Sequence, residues 1–301
     1  MKPKVIVIVG PTASGKTAVS IELAKRINGE IISADSMQVY KYMNIGTAKP
    51  TTEEMDGVKH YLLDVVSPDE VFNVAKYKTL AEEAIVEILN KGKLPIIVGG
   101  TGLYINTLVN GIEFLEIDGD IEYRNALIKK GYEEGAEVLH KELEKVDPIA
   151  AKSIDANNIR RVARALEIFK VTGKTKTELD KESQKEVKYD YIMFGLDWDR
   201  QALYDRIDLR VDLMLKNGLI DEVRKIKEDF NISSTAIQGL GYKEVIEYLD
   251  GNISYEEMVE KLKLETRHYA KRQLTWFRRD KRIRWIKKEE AVDEIIKSLD
   301  Y

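Results

Sequence analysis

The sequence predicts an α/β fold, in which a parallel sheet carries helices on both faces and is joined by a helical insertion and a helical C-terminal region. Residues 5–9 form an unbroken β-branched run, which is typical of a strand buried on both faces. Strand-like and helical patterns then alternate up to about residue 112, as in parallel strands joined by crossover helices. Residues 118–186 contain no strand-like run, and their apolar residues recur with helical spacing.

The segment after the first strand has the pattern G-x-x-x-x-G-K-[S/T], and a helical pattern begins at its last residue. Its eight positions are Gly10, Pro11, Thr12, Ala13, Ser14, Gly15, Lys16 and Thr17. In such a loop the backbone N–H groups point inward, and the helix N-terminus adds partial positive charge. Lys16 would add a mobile cation, and Thr17 a hydroxyl ligand for Mg²⁺. The pattern predicts a P-loop NTPase-like core that binds a di- or triphosphate, and it leaves the reaction open.

Two more strand-like runs end in polar residues that could reach the same crevice. Residues 31–32 lead to Asp35, and residues 94–98 lead into a glycine-rich turn that carries Thr101. Ligands of open α/β sheets bind beyond the carboxyl ends of the strands, so both side chains are expected near the phosphate loop. Asp35 could instead be a helix N-cap or part of a Mg²⁺ shell, and Thr101 could be a helix N-cap.

The remaining pattern divides the chain into three parts. Residues 1–117 form the first part of the core and include an amphipathic helix over 75–91. Residues 118–186 form the helical insertion. Residues 187–301 complete the core with a strand over 191–196 and continue as a helical C-terminal region.

Composition restricts the class of protein more than its function. Of the 301 residues, 44% are hydrophobic and 33% are charged, as in a globular protein with a sizeable core. The absence of cysteine excludes disulfides and thiolate chemistry and suits a reducing compartment. The three histidines lack metal-ligand spacing. Without a signal-peptide or membrane-spanning pattern, the sequence predicts a cytoplasmic protein with no membrane partner.

Two basic clusters occur in the chain, although its net charge is −4. Residues 267–288 carry ten Lys or Arg and one acidic residue, with four aromatic residues among them. Residues 158–178 carry six Lys or Arg and two Glu. Clusters of this kind can contact the phosphates of a nucleic acid, and the alternative is a solvated helix face.

Seven sequence blocks, among them GPTASGKT, DSMQVY and GGTGLY, together resemble the bacterial tRNA dimethylallyltransferases, also called tRNA isopentenyltransferases. The blocks lie at residues 10–17, 35–40, 45–50, 99–104, 161–175, 239–244 and 266–280, and they span nearly the whole chain in the order of the family. The sequence departs from the family at Tyr42, where glycine is common, and at 155–158, where His-Pro-Asn-Asp is commoner. The first departure puts in question the turn after Tyr40, and the second one RNA contact.

The resemblance implies transfer of a dimethylallyl group from dimethylallyl diphosphate to the exocyclic amine of the adenosine 3′ to the anticodon of tRNA, with Mg²⁺ as cofactor. Asp35 is then the expected catalytic base, Thr101 and Arg210 are further catalytic residues, and residues 10–17 bind the diphosphate. Arg206 lies one helical turn before Arg210 and could grip the same diphosphate. The expected tRNA-binding residues are Asp35, Ser36, Met37, Gln38, Thr101, Arg124, Ile159, Arg160, Arg161, Val162, Ala163, Gly241, Tyr242, Arg278 and Arg279.

Other classes of protein share some of these features. A nucleoside or nucleotide kinase would share the loop, the Asp and a basic lid, but it has little use for a long helical insertion and a basic tail. A non-catalytic RNA-binding P-loop protein would need the basic clusters and not Asp35. An enzyme that prenylates free adenine nucleotides is disfavoured by those clusters. The sequence predicts a monomer and leaves open whether ATP binds the loop.

Overall fold

The computed structural model describes residues 2–113 and 119–299. The chain divides into two compact units, one formed by residues 1–109 and 188–301 and the other by residues 110–187. The second unit thus begins earlier than residue 118, because the two ends of the insertion pair with each other. The backbone N–H of Lys185 donates to the carbonyl of Gly111 (3.0 Å), and the N–H of Glu113 donates to the carbonyl of Ser183 (2.8 Å).

A six-stranded sheet forms the centre of the first unit, and its strand pairs are all parallel. The strands are β1 (Lys4–Val9), β2 (Gly29–Ser33), β3 (His60–Tyr61), β4 (Leu94–Gly99), β5 (Asp190–Asp197) and β6 (Arg284–Lys287). Their order is β3-β2-β4-β1-β5-β6, so that β1 lies in the interior between β4 and β5. The carboxyl ends of β1, β2 and β4 therefore lie along one edge, as the sequence predicts.

The described residues also form fourteen α-helices. They are α1 (Lys16–Ile27), α2 (Thr52–Met55), α3 (Val74–Asn90), α4 (Gly102–Val109), α5 (Ile121–Glu133), α6 (Ala136–Val146), α7 (Pro148–Ser153), α8 (Ile159–Thr172), α9 (Lys176–Glu182), α10 (Arg200–Lys216), α11 (Leu219–Asp229), α12 (Tyr242–Leu249), α13 (Tyr255–Phe277) and α14 (Ala291–Leu299). Helices α5 to α9 belong to the second unit, and the others belong to the first.

Side chains of β1 alternate between two apolar cores because successive residues of a strand point to opposite faces. Val5, Val7 and Val9 pack with residues of α3 and α11 to α13 on one face. Ile6 and Ile8 pack with residues of α1 and α14 on the other face. All five side chains are fully buried. The predicted two-sided burial of β1 is confirmed.

One predicted helix is present in the structure, together with two short strands that the sequence did not predict. The predicted helix over 75–91 is confirmed as α3, which Asn73 caps and which ends before Gly92 in a left-handed conformation. The edge strand β3 was not predicted. Strand β6 was also missed, because Arg284–Lys287 has a charged residue at each end and only one buried side chain. The C-terminal region is therefore helical except for this strand.

The second unit is a helical bundle with its own apolar core, formed by α5 to α8 around Leu139, Leu143 and Val162. Pro148 occupies the first turn of α7, and Gly173 ends α8 with a φ of 69°. Proline is favoured in the first turn of a helix and glycine just after its end, so both residues suit their positions. Among residues 2–113 and 119–299, no helix has the length and apolar character needed to span a bilayer.

Candidate active site

The phosphate loop runs from the end of β1 to the start of α1. Gly15 has a φ of 87° and Ala13 a φ of 62°, so the chain turns sharply at both residues. The hydroxyl of Ser14 and the side-chain Nε of Arg210 are buried, and neither has a hydrogen-bond partner in the described chain. Buried donors without partners are costly, so the loop is built to receive an acceptor such as a phosphate oxygen.

Lys16 lies in a group of interacting charges. Its ammonium folds beneath the loop and donates to the carbonyl of Pro11 (2.7 Å). Burial and, to a smaller extent, the positive charge of Arg210 lower its pKa to about 7, although the carboxylate of Asp35 acts in the opposite direction. Burial also lowers the pKa of Arg210, and the negative charge of Asp35 partly opposes this effect. The structure therefore brings these three predicted residues close enough to influence one another.

Asp35 and Thr101 meet where β2 and β4 end. The Asp35 oxygen Oδ1 accepts the backbone N–H of Met37 (2.9 Å), while the described residues donate no hydrogen bond to Oδ2. The Thr101 hydroxyl accepts the backbone N–H of Ser36 (3.0 Å), and its backbone N–H donates to the carbonyl of Ala34 (3.1 Å). Thr101 thus fixes the loop that carries Asp35. The alternative of a side-chain cap for α4 is not what the structure has.

Gln273 on α13 joins the phosphate loop to the glycine-rich turn. Its side-chain oxygen accepts the backbone N–H of Thr12 (2.8 Å), and its amide nitrogen donates to the carbonyl of Gly100 (3.0 Å). A Cβ on Gly100 would lie 2.0 Å from that nitrogen, which requires glycine there. Tyr269, one turn earlier, hydrogen bonds to Thr101, and burial together with Asp35 raises the pKa of its hydroxyl. Neither residue was predicted to belong to the site, although their i, i+4 spacing within the block 266–280 puts them on one helix face.

Three side chains lie against the loop from outside: Trp198 follows β5, Arg206 is on α10, and Lys288 follows β6. The Trp198 indole donates to the carbonyl of Ser14 (3.0 Å), and the Arg206 guanidinium donates to the carbonyl of Ala13 (3.0 Å) while lying over the Trp198 ring. The Nζ of Lys288 lies 3.6 Å from where a Cβ on Gly15 would stand. Arg206 is thus at the loop and not in a surface ion pair. Lys288 belongs to the basic cluster 267–288, yet it sits beside the diphosphate site.

The site fits a magnesium ion that is bound mostly by the phosphates of the substrate and by water. The Thr17 hydroxyl has no hydrogen-bond partner among the described residues and is partly exposed. No group of three or more His, Asp or Glu that could hold a metal occurs in the described part of the chain. Mg²⁺ commonly keeps several waters and binds through one or two protein groups together with substrate phosphates. Thr17 is the chain's candidate ligand for such an ion.

Gln38 lies close to Asp35, but its amide already has partners. Its oxygen accepts from the Ser33 hydroxyl (3.0 Å), and its nitrogen lies 3.3 Å and 3.4 Å from the carbonyls of Thr47 and Ala48. A contact with an adenine edge would have to replace one of these hydrogen bonds. Ser36, Met37 and Gln38 are all half-buried, so the loop keeps an accessible side.

The predicted tRNA contacts at Gly241 and Tyr242 are not supported by their surroundings. Tyr242 is 2% exposed, and its hydroxyl donates to Glu222 (2.6 Å). Gly241 is buried at the start of α12, where its N–H donates to Glu244 (3.0 Å). Both residues therefore hold this part of the core together, and the exposed neighbour Lys243 is the residue at the surface.

The residues expected to bind tRNA in the insertion fall into two groups. Arg160 and Arg161 are exposed on α8. Ile159, Val162 and Ala163 are buried in the core of the second unit, because they lie on the apolar side of the same helix. Their side chains are therefore not at the surface, and contact of these three residues with tRNA stays a prediction.

The two departures from the family pattern leave the backbone intact. Tyr42 has a φ of 67°, so it adopts a conformation that a glycine would also adopt, and its ring stacks on Phe230 at 5.3 Å. Asn158 caps the start of α8 through a contact with the N–H of Arg161 (3.4 Å), and Asp155 accepts the N–H of Asn157 (2.9 Å).

Arg278 and Arg279 are exposed after the end of α13. Arg278 approaches Asp197 at 3.4 Å and lies over the ring of Trp285, whereas no ion pair of Arg279 is found within the described residues. Of the two aromatic residues before them, Phe277 is buried in the core and Trp276 is 37% exposed, covering Gly102.

Comparisons with known proteins point to one family. The sequence profile of a family described as IPP transferase matches residues 38–280. A tRNA dimethylallyltransferase of Acetivibrio thermocellus is 54% identical in an alignment that covers 99% of this chain and 96% of that protein. One of Bacillus cytotoxicus is 49% identical over 99% of this chain and 95% of its own length.

Solved structures give the same picture. The full-length tRNA isopentenylpyrophosphate transferase from Bacillus halodurans is 46% identical, with a TM-score of 0.74 over 99% of this chain and 96% of that one. A eukaryotic dimethylallyltransferase acting on tRNA is 34% identical, with a TM-score of 0.76 over 91% of this chain and 69% of that one. The likeness therefore extends through both units of the chain.

Proposed function

We propose that this chain, which belongs to the IPP transferase family, transfers a dimethylallyl group from dimethylallyl diphosphate to the exocyclic amine of the adenosine 3′ to the anticodon in tRNA. The observation that carries the proposal is the grouping of half-buried Lys16, Arg210 and Asp35 beside a phosphate loop. A carboxylate at this place suits a reaction in which a diphosphate leaves and an amine loses a proton.

The cations act on the leaving group. As the bond between the allylic carbon and the bridging oxygen breaks, negative charge develops on the diphosphate. Lys16 and Arg210 could stabilise that charge, together with the backbone N–H groups that a phosphate loop offers to its ligand. The Thr101 hydroxyl contacts Tyr269 and, at 3.4 Å, Ser36 Oγ, and it could instead donate its proton to the bridging oxygen.

Asp35 accounts for the proton. The amine nitrogen forms its new bond to the allylic carbon while the carbon–oxygen bond breaks, and the nitrogen must then lose a proton. Oδ2 of Asp35 has no hydrogen bond from the described residues and can accept that proton, while Oδ1 stays bonded to the loop. The adenosine must first leave its stack to reach this carboxylate.

Mg²⁺ would be the cofactor. Thr17 would be its protein ligand, and diphosphate oxygens and water would be its other ligands. When bound, it would neutralise charge on the diphosphate. Exposed arginines at 160, 161, 278 and 279 are proposed to hold the tRNA through its phosphates. We further propose that the protein acts as a monomer in the cytoplasm. Size-exclusion chromatography with light scattering would test the monomer.

The test of this function is transfer of labelled dimethylallyl from its diphosphate to unmodified tRNA, followed by digestion to nucleosides. We expect label in N6-dimethylallyladenosine at a single position. A tRNA with guanosine at that position is the matched control and should stay unlabelled. Turnover of ATP with a nucleoside acceptor, without prenyl transfer to tRNA, would overturn the proposal in favour of a kinase.

A further inference from the structure

A buried carboxylate lies between two arginines in the second unit. Glu167 on α8 is fully buried. Its Oε2 lies 2.9 Å from Nε of Arg124 on α5 and 2.8 Å from Nη1 of Arg164 on α8. Both arginine side chains remain about one third exposed, at 34% and 38%. The group therefore has a buried anion beneath two cations that reach the surface.

This arrangement has more positive charge than a structural ion pair needs. One arginine would balance Glu167, so within this group of three described residues the second arginine leaves a net charge of plus one. The contacts are close, but they lack hydrogen-bond geometry, so Nε of Arg124 and Nη1 of Arg164 are buried without a well-aligned acceptor. Since each guanidinium has five donors, the pair can offer several N–H groups to an anion at the surface.

The neighbouring residues pack on this group and extend its positive surface. A Cβ on Gly119 would lie 2.8 Å from Oε1 of Glu167 and 3.0 Å from Nη2 of Arg124, so the backbone of Gly119 packs directly on the group. Arg160 is exposed one helical turn before Arg164 on the same side of α8, which extends the positive surface. Lys170, further along α8, is already paired with Asp120 at 3.0 Å.

We propose that Arg124 and Arg164 together bind one backbone phosphate of the RNA substrate, and that Glu167 is a positioning residue that holds both guanidiniums in place. Planar guanidiniums bind phosphate through two parallel hydrogen bonds, which a fixed orientation favours. Arg124 is an expected tRNA contact, whereas Arg164 and Glu167 enter through the structure. The inference rests on the proposed function, because it takes the ligand to be tRNA.

The first test measures the affinity of unmodified tRNA over a salt series. Arg164→Ala should weaken binding roughly tenfold, since a charged hydrogen-bonded contact is lost. It should also reduce the log–log salt slope by about 0.7–0.9, the value for one phosphate contact. Arg164→Lys should keep the slope and still bind more weakly, because it lacks the planar fork. Lys170→Ala on the same helix is the matched control and should change neither quantity.

The second test separates positioning from charge. Glu167→Gln removes a negative charge, so long-range electrostatics alone would tighten tRNA binding. Positioning predicts weaker binding instead, with the affinity for dimethylallyl diphosphate unchanged. Thermal unfolding of each variant identifies any loss of fold, and Arg164→Lys tests the site if Glu167→Gln is unstable.

Wild-type affinity and slope for Arg164→Ala and Arg164→Lys would overturn the inference, as would tighter tRNA binding by a folded Glu167→Gln. These outcomes are distinct from failure of the proposed function. If wild-type protein binds tRNA but transfers no dimethylallyl group, the function fails and the phosphate site remains. If it binds no tRNA, both fail.

Discussion

Two regions of this chain carry cations for phosphate, and their surroundings differ. In the phosphate loop, Lys16 is desolvated enough for its pKa to fall to about 7, and Arg210 is also mostly buried. On the surface of α8, Arg160 and Arg161 are exposed to solvent. The same kind of ligand group would therefore meet a partly desolvated site in one region and a solvated surface in the other.

Because of this difference, ligand binding in the two regions should depend on different solution conditions, namely pH and salt. Buried charges are screened little by salt, and their protonation depends on burial and neighbours. Exposed arginines stay charged at ordinary pH, and salt screens them strongly. We therefore expect donor binding to depend on pH and tRNA binding to depend on salt.

The largest expected effect separates chemistry from binding in the loop region. Asp35→Asn keeps an oxygen for the N–H of Met37 but removes the proposed base. The rate of transfer at saturating substrates should fall roughly 10²–10⁴-fold, which is the usual contribution of a general base. Binding of tRNA should change little. Asp69→Ala, at an exposed site, is the control, and a wild-type rate for Asp35→Asn would remove Asp35 from the mechanism.

The second prediction concerns pH. Above pH 7 the free Lys16 is largely neutral, whereas a bound diphosphate favours its charged form, so binding takes up a proton. The affinity for dimethylallyl diphosphate should therefore fall as the pH rises above about 7, by at most about tenfold per pH unit. Isothermal titration at constant Mg²⁺ measures this dependence.

Lys16→Met is the matched variant for the pH series. It should bind the donor weakly, with little dependence on pH above 7, because the titrating group is gone. A wild-type affinity that stays constant from about pH 7 upward would mean that Lys16 is charged throughout. The contrast between a desolvated and a solvated region would then lose its main support.

The third prediction concerns the exposed arginines. Removing Arg160 and Arg161, or Arg278 and Arg279, should weaken tRNA binding at every sequence and reduce the salt slope by about 0.7–0.9 per lost phosphate contact. Filter binding across a salt series measures both quantities, and donor affinity serves as the internal control. Unchanged slopes for both pairs would make these clusters ordinary solvated surface.

The smallest expected effect concerns Lys288, which the sequence groups with the tRNA-binding cluster but which lies beside Gly15. Lys288→Gln should weaken dimethylallyl diphosphate binding a few-fold and leave tRNA affinity nearly unchanged. Lys287→Gln, next to it and exposed, is the matched control. The reverse pattern would return Lys288 to the RNA-binding surface.

Sequence patterns located those parts of the fold and site that depend on nearby residues. The phosphate loop has a fixed spacing, and residues 5–9 show their burial on both faces by being apolar throughout. Asp35 and Thr101 could be placed together because parallel strands share an edge for their carboxyl ends. The meeting of Arg210 with Lys16 was expected only through the family resemblance.

The remainder depended on packing between distant segments. Gln273 contacts Thr12 across a long stretch of chain, and nothing local to either residue indicates this. Buried residues at 159, 162 and 163 alternate with exposed arginines at helical spacing, so a contiguous block was assigned one role although its two faces differ. Packing between separate helices also explains why the burial of Tyr242 was not predicted, because its hydroxyl donates to Glu222 on another helix.

The most direct measurement compares the two ligands on the wild-type protein over one salt series at fixed pH and Mg²⁺. Exposed phosphate contacts each contribute roughly 0.7–0.9 to the slope of log affinity against log salt, so tRNA should give a slope of at least about 3 in magnitude. Dimethylallyl diphosphate, held in the desolvated loop, should give a much smaller one. Equal slopes for the two ligands would contradict the account.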